Sequence, residues 1–485
     1  MSGTYTAPAG RSTTQIFSAC TQYAAATVVA ALRAGQFGPR SEHRRILVVS
    51  DTSASPELGT PLHRRPGFEK LESEFDDVYS WNEFIRPFHP AGWSPREQDA
   101  SLWQRAVRRE WHLGDGPVEI ACESIQANPA QALAVIFGDS PVHIYADGLM
   151  SYGPTRSRLD QLLGTRIRRL LHLDLVPGLR PLLLTEFGVE SEVVPTDVFL
   201  EVLDELAGSA ALDASPDASL GTSLETSLDA MFGASPASAG PAPAPALLLG
   251  QYLSTLGILT PQQEEELHAR MLRGAVALGH TRVVFKPHPS APAHWARLLE
   301  LEAERLGADL TVLDSPVLAE TLFGTMRPAL VVGCFSTALL TAASFYGLPV
   351  ARVGTDTVLE RLAPYQNSNR VPLTIVDALL PDLEDPSAVT GWSLPSADEV
   401  RGKPTGLISA VGYAMQPQLQ VGLRPEAERY LSRYRDDIRR YFKRRRLTAL
   451  GLPGAVPQQL AFIPRNATVR RLARKARTLK RAATG

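Results

Sequence analysis

The amino-acid sequence predicts an α/β protein of two Rossmann-like domains facing one another, with a basic helical tail. Three observations predict it. Short apolar runs alternate with helical patterns along most of the chain, a low-complexity stretch interrupts that rhythm once, and the rhythm then starts afresh. Alternating strand and helix implies a parallel sheet covered on both faces. A chain of 485 residues, 44% of them hydrophobic, is too long for one ordinary core and apolar enough to bury two.

In the first half, residues 16–19, 45–50, 78–84, 118–122 and 142–145 read as strands. Helices are expected over residues 21–33 and 95–111, and another starting at Asn128-Pro129, read as an N-cap followed by proline at the first helical position. Residues 208–245 are nearly all Ala, Ser, Pro, Gly, Leu and Asp, contain no basic residue and end in Pro-Ala-Pro-Ala-Pro. Such a stretch buries too little apolar surface to offset its ordering entropy and reads as a joint. The second half brings strands at residues 246–249, 282–285, 310–313, 329–332 and 349–353, and helices at 260–277, 291–306 and 336–346. A long charged helix is expected over residues 426–446. The domains are therefore drawn at 1–207 and 246–395, with the joint at 208–245, return helices at 396–437 and a basic tail at 438–485.

The formal charge of −2 hides a segregation: residues 438–485 carry 14 basic and no acidic side chains, which leaves residues 1–437 at −16. Three cysteines, none in a metal-binding spacing, build no disulfide framework and fit a reducing cytoplasm. Residues 1–11 hold no apolar core of signal-peptide length, and no uncharged apolar run is long enough to span a membrane.

The chemistry-bearing residues stand at strand ends. GxxxxGK[ST], a strand-borne GxGxxG, HExxH and GxSxG are all missing. Tyr145-Ala146-Asp147-Gly148 ends a strand in an acid and a turn glycine, where α/β proteins bind ligands; Asp147 reads as a general base or as a turn residue. Lys286-Pro287-His288-Pro289 presents an imidazole between two prolines, able to bind a phosphate or protonate a leaving oxygen, or simply packed in its loop. Gly333-Cys334-Phe335-Ser336-Thr337 ends a strand and opens a helix, an arrangement suited to an anion as well as to plain N-capping. Glu320, in a first helical turn, would accept from a ribose or base, or complement the helix dipole.

In their order along the chain, Asp147-Gly148, His288-Pro289 and Ser336-Thr337 resemble the motifs of bacterial sialyltransferases, above all the α-2,8-polysialyltransferase-like group. The likeness runs from about Thr14 to Asp377 apart from the joint, with Leu249-Gly250-Gln251-Tyr252-Leu253 and the Glu320 region similar as well. It implies a GT-B fold and an inverting glycosyltransferase that needs no metal or other cofactor and moves a CMP-activated sialic or related ulosonic acid to a glycan or glycolipid acceptor at the cell surface. Asp147 and His288 would be catalytic, and Gly148, Lys286, Pro289, Glu320, Gly333, Ser336 and Thr337 would hold the nucleotide sugar. Relatives usually have two acids before the glycine, the first often taken as the base. Here that place is Ala146, so Asp147, Glu123 or His143 takes over, or transfer is lost. A CDP-polyol phosphotransferase of teichoic acid type and a non-catalytic glycan-assembly protein are the rival readings.

In the tail, Val469, Leu472, Ala476, Leu479 and Ala483 fall on one helical stripe, with basic residues around it. Arg444, Arg445, Arg446, Arg470, Arg471, Arg474, Lys475 and Lys480 are expected to meet an anionic membrane surface, placing the protein peripherally at the inner face of the cell membrane. The tail has no interleaved aromatics, so nucleic acid is not the expected partner.

Overall fold

The computed structural model describes residues 13–213, 243–288, 291, 294–314 and 317–455. Two parallel sheets carry the fold. The first comprises β1 (Thr13–Ala19), β2 (His43–Val49), β3 (Asp77–Ser80), β4 (Val118–Cys122), β5 (Val142–Ala146), β6 (Ile167–His172) and β7 (Ser191–Val193), in the order β3-β2-β1-β4-β5-β6-β7. The second comprises β8 (Ala246–Leu249), β9 (Arg282–Lys286), β10 (Asp309–Val312), β11 (Leu330–Gly333) and β12 (Val350–Arg352), in the order β10-β9-β8-β11-β12. Both start in the middle and wind outward in both directions, so each has a switch point, at β1/β4 and at β8/β11, where the connections part and leave a crevice. This two-sheet architecture is GT-B.

The halves pack directly. The Tyr23 hydroxyl and Thr341 Oγ1 share a hydrogen bond of 3.2 Å. Phe199, on the helix Thr196–Asp213, lies between the rings of Tyr23 and Phe345, at 5.3 and 6.1 Å. That helix runs past Gly208, where the joint is expected to begin; residues 214–242 lie outside the described residues. After β12 the chain returns to the first half. Gln420 Nε2 donates to Thr185 Oγ1 at 3.1 Å, and the helix Ala397–Arg401 lies on Gly178. Gly178 has φ +93°, and a Cβ there would meet the Ala397 carbonyl oxygen at 2.3 Å. Gly178→Ala is therefore expected to cost about 2–5 kcal/mol through left-handed strain and overpacking, read as a lower thermal midpoint.

Four expectations need correction. Residues 81–84 continue as the helix Trp81–Phe84 instead of extending β3, because Trp81 is fully buried against Trp93 and Trp111 at 5.8 and 6.2 Å. β6 and β7 were not expected: Arg168 and Arg169 interrupt the apolar run of one, and the other is a three-residue edge strand. Pro129 is itself the N-cap of the helix Ala130–Ile136, not its first residue. The single long helix over 426–446 is three, Arg424–Arg433, Asp437–Tyr441 and Arg444–Leu450. The breaks let Tyr430 donate to Asp437 Oδ2 at 2.6 Å and Arg440 reach Asp377 on the helix Arg370–Leu379.

The basic tail thus begins inside the fold. Ile438, Tyr441, Phe442, Leu447 and Leu452 are buried, and Arg446 Nε donates to the Ala414 carbonyl at 2.7 Å, closing the end of the helix Lys403–Met415. Arg444 and Arg445 are exposed, while Arg470, Arg471, Arg474, Lys475, Lys480 and the apolar stripe lie outside the described residues. No helix among the described residues is long and apolar enough to cross a membrane.

Candidate active site

Each half brings its polar strand ends to the cleft. In the first, side chains alternate across the sheet: Ile120, Cys122, Val142, Ile144 and Ala146 join one apolar cluster, whereas Ala121 and Tyr145 join the other. Glu119 therefore shares a face with His143 and Tyr145. Ala121 is in register with His143, so Glu119 sits diagonally behind His143; Glu123 and Asp147 each follow directly on their paired strands, β4 and β5, and the charge of Asp147 acts on Glu123. At the first of these pairs the gap is 3.9 Å between Glu119 Oε2 and His143 Nε2. His143 also accepts from Arg169 Nε at 3.2 Å and lies against Phe37. It is at the amino edge of the sheet, about 13 Å along the strand from Asp147, and cannot serve the cleft. Ala146, at 8% exposure, faces the apolar cluster.

Gly148 lies against the other half. A Cβ there would stand 3.2 Å from Thr337 Oγ1, so the Asp147-Gly148 turn rests on the opening of the helix Thr337–Phe345. Ser336 is the N-cap of that helix and accepts from Ala338 N at 3.3 Å, which leaves its O–H proton free to point at a ligand. The preceding Gly333 closes β11 and is buried. The Phe335 N–H donates to Gln251 Oε1 at 2.9 Å, tying this loop to the one after β8. Gly250 N donates to the Lys286 carbonyl at 2.9 Å, and the ring of Tyr252 stands 6.2 Å from that of His288. Behind them the buried Glu264 accepts from Leu253 N and Ser254 N at 2.6 and 2.8 Å. Pro289 lies outside the described residues.

Electrostatics mark the same region. Burial, then the charge of Asp147, raises the Glu123 carboxyl well above its ordinary range against the opposing pull of Arg156, and burial raises Asp147 as well. Glu320 is pushed up to about 7, chiefly by burial, with Lys286 lowering it and Asp147 raising it. Burial lowers Lys286 against the pull of Glu320 and Asp314. Burial and the Lys286 ammonium lower His288, so its imidazole is neutral at neutral pH. Two carboxyls of the first half, and a carboxyl, an ammonium and an imidazole of the second, converge on one cleft.

Beside it, beyond the ends of β2 and β3, lies a cavity of about 510 Å³ with Ser50, Asp51, His63, Arg64, Glu83 and Arg86 in its walls. Cys20, just past β1, shares a hydrogen bond of 3.1 Å with Ser50 Oγ and links cavity to cleft.

The structure therefore brings Asp147, Gly148, Lys286, His288, Glu320, Ser336 and Thr337 together. Sequence reasoning named Glu123 and passed over Tyr23, Gln251, Tyr252 and Glu264 as site residues. The Gly250-Gln251-Tyr252 run directly after a strand was the available signal for two of them.

A family model described as alpha-2,8-polysialyltransferase matches residues 15–355. No curated protein matches the chain. Among solved structures, the GT-B domain of a sialyltransferase from Photobacterium damselae is similar at 10% identity and a TM-score of 0.41, over 74% of this chain and 95% of that one. MurG from Acinetobacter baumannii is similar at 11% identity and a TM-score of 0.37, over 86% of this chain and 95% of that one.

Proposed function

This chain belongs to the alpha-2,8-polysialyltransferase family, and from that membership we propose that it is an inverting glycosyltransferase moving a CMP-activated sialic acid or related ulosonic acid onto a cell-surface glycan. The observation that carries the reading is the approach of Gly148 to Thr337, which closes an acid-bearing strand end on a helix opening suited to phosphate. The acceptor hydroxyl attacks the anomeric carbon, the bond from that carbon to the phosphate oxygen breaks, and CMP leaves with the electron pair. Asp147 takes the hydroxyl proton. The Ser336 and Thr337 hydroxyls and the Thr337 N–H at the opening of their helix hold the phosphate, and His288 donates a hydrogen bond to the departing oxygen. Lys286, its pKa lowered by burial and held up by Glu320 and Asp314, would supply a further donor to the same phosphate. These donors meet the charge of a good leaving group, so no metal is assigned a step. The cavity beside the cleft, with Asp51, Glu57, Glu83, Arg64 and Arg86 in its wall, offers a polar place for a glycan acceptor.

The test is release of CMP from CMP-sugar acids with glycan acceptors present, with and without a chelator. Acceptor-dependent release that the chelator leaves unchanged is the expected result. Turnover of CDP-glycerol in its place would overturn the reading, as would tight CMP binding without turnover on any acceptor.

We also propose that the basic residues beyond the fold hold the enzyme at an anionic membrane. A chain ending at Ala455 keeps the Arg440 and Arg446 contacts, so it separates this role from folding. It is expected to lose flotation with anionic vesicles while keeping its thermal midpoint; undiminished flotation would end the idea.

A further inference from the structure

Resting on that transferase reading, we propose that Glu123 joins Asp147 to form the acceptor-side base, a carboxylate pair drawn from two adjacent strands in place of two consecutive acids. The motif supplies only one acid here, because Ala146 points into the apolar cluster on the opposite face of the sheet. The second acid comes from β4. β4 and β5 pair in parallel as far as Cys122 and Ile144, so Glu123 and Asp147 leave neighbouring strands at the same edge of the sheet, near enough that the charge of Asp147 acts on Glu123. Both residues follow directly on their strands, at the carboxyl edge where Gly148 meets Thr337.

The surroundings of the pair are defined. Glu123 is faced by Asp147, Cys20, Cys122 and Tyr145 and, among the described residues, by the opposing cation Arg156, itself exposed. Asp147 is faced by Glu123, Cys20, Tyr23, Tyr145 and, across the cleft, Glu320. The two thiols and the two phenols add no charge at neutral pH, since burial pushes Cys20 and Cys122 up to about 12 and holds both tyrosines well above their ordinary value.

In the step, the acceptor O–H bond breaks and its proton passes to the ionised pair. The oxygen's electron pair forms the bond to the anomeric carbon as the bond to phosphate breaks toward CMP. The pair then returns the proton to water. Two carboxylates held close share a bound proton and titrate together, so the pair is a stronger base than either acid alone.

The experiment is the pH dependence of transfer kcat/KM, with donor hydrolysis in the absence of acceptor measured alongside. Glu123→Gln is expected to lower transfer on the order of tenfold and to move the acid limb of the profile down by about one pH unit or more. Glu123→Asp restores the limb, and Glu123→Gln combined with Asp147→Asn lowers transfer by about 10²–10⁴-fold. An acid limb that stays in place in Glu123→Gln overturns the pair, because a purely structural role would lower the rate without moving it. Folding is checked by the thermal midpoint and CMP binding, with Glu123→Asp as the variant that keeps the carboxylate. Were the wild-type chain to neither bind CMP nor hydrolyse CMP-sugars, the transferase reading itself would fail, an outcome separate from an unmoved limb in an active enzyme.

Discussion

His288→Ala is expected to lower transfer from a CMP-sugar acid by about 10²–10⁴-fold, with CMP binding weakened far less. The imidazole stands beside Tyr252 on the loop after β9, where, on the proposed mechanism, it would meet the oxygen that gains charge as the donor bond breaks. An interaction that strengthens only as charge develops appears in kcat, not in binding of the ground state. Burial and Lys286 lower the His288 pKa, so the free enzyme carries a neutral ring with one N–H to donate. Loss of a proton from His288 consequently produces no alkaline limb in wild-type kcat/KM near neutral pH. Initial rates of CMP release across pH, together with CMP titrations, check both statements. A variant transferring at the wild-type rate would remove His288 from the chemistry.

Asp377→Asn is expected to destabilise the protein by about 3 kcal/mol, at the lower end for breaking a buried ion cluster. The Asp377 carboxylate is fully buried and accepts from Thr355 Oγ1 and Arg440 Nη2, each at 2.6 Å, with Arg352 Nη1 at 3.4 Å. Arg440 is partly exposed and Arg352 has a second partner in Asp382 at 2.9 Å, which keeps the cost from rising further. Burial alone would raise this carboxyl, but the Arg440 hydrogen bonds, Arg352 and Thr355 outweigh it and hold it below the ordinary aspartate value. A depressed folded-state pKa stabilises the protein above the unfolded value, about 3.9, and that contribution is lost as pH falls through the folded one. Thermal midpoints of wild type and variant should therefore differ most at neutral pH and converge in acid. Equal midpoints at neutral pH would show that the cluster does not hold the C-terminal segment in place.

The strands most legible in the sequence were those whose side chains are apolar on both faces. β1, β2, β8 and β9 read as such because helices cover both sides of a parallel sheet. β6 was illegible because its first half is polar: Arg169 turns out toward Glu192 at 2.9 Å. The 426–446 stretch looked like one helix because charge patterning carries no information about the tertiary contacts of Arg440 and Tyr430 that break it. Motif order marked Asp147, His288, Ser336 and Thr337, since each is local to a strand end. Glu123 was only one candidate among three, because its relation to Asp147 depends on register between strands more than twenty residues apart, which periodicity does not encode. The same register puts His143 at the opposite edge.

The loop carrying Gln251 and Tyr252 has a consequence for selectivity. Its backbone is fastened to β9 through Gly250 and to a buried carboxylate through Leu253 and Ser254, and the Gln251 side chain accepts from Phe335 N of the β11 loop. Folding therefore meets the entropic cost of ordering this wall before any donor arrives, and binding need not repeat it. A wall so preorganised does not reshape itself around a different nucleotide. On the proposed reading, discrimination between donors would then rest on fit to this fixed loop, not on its rearrangement.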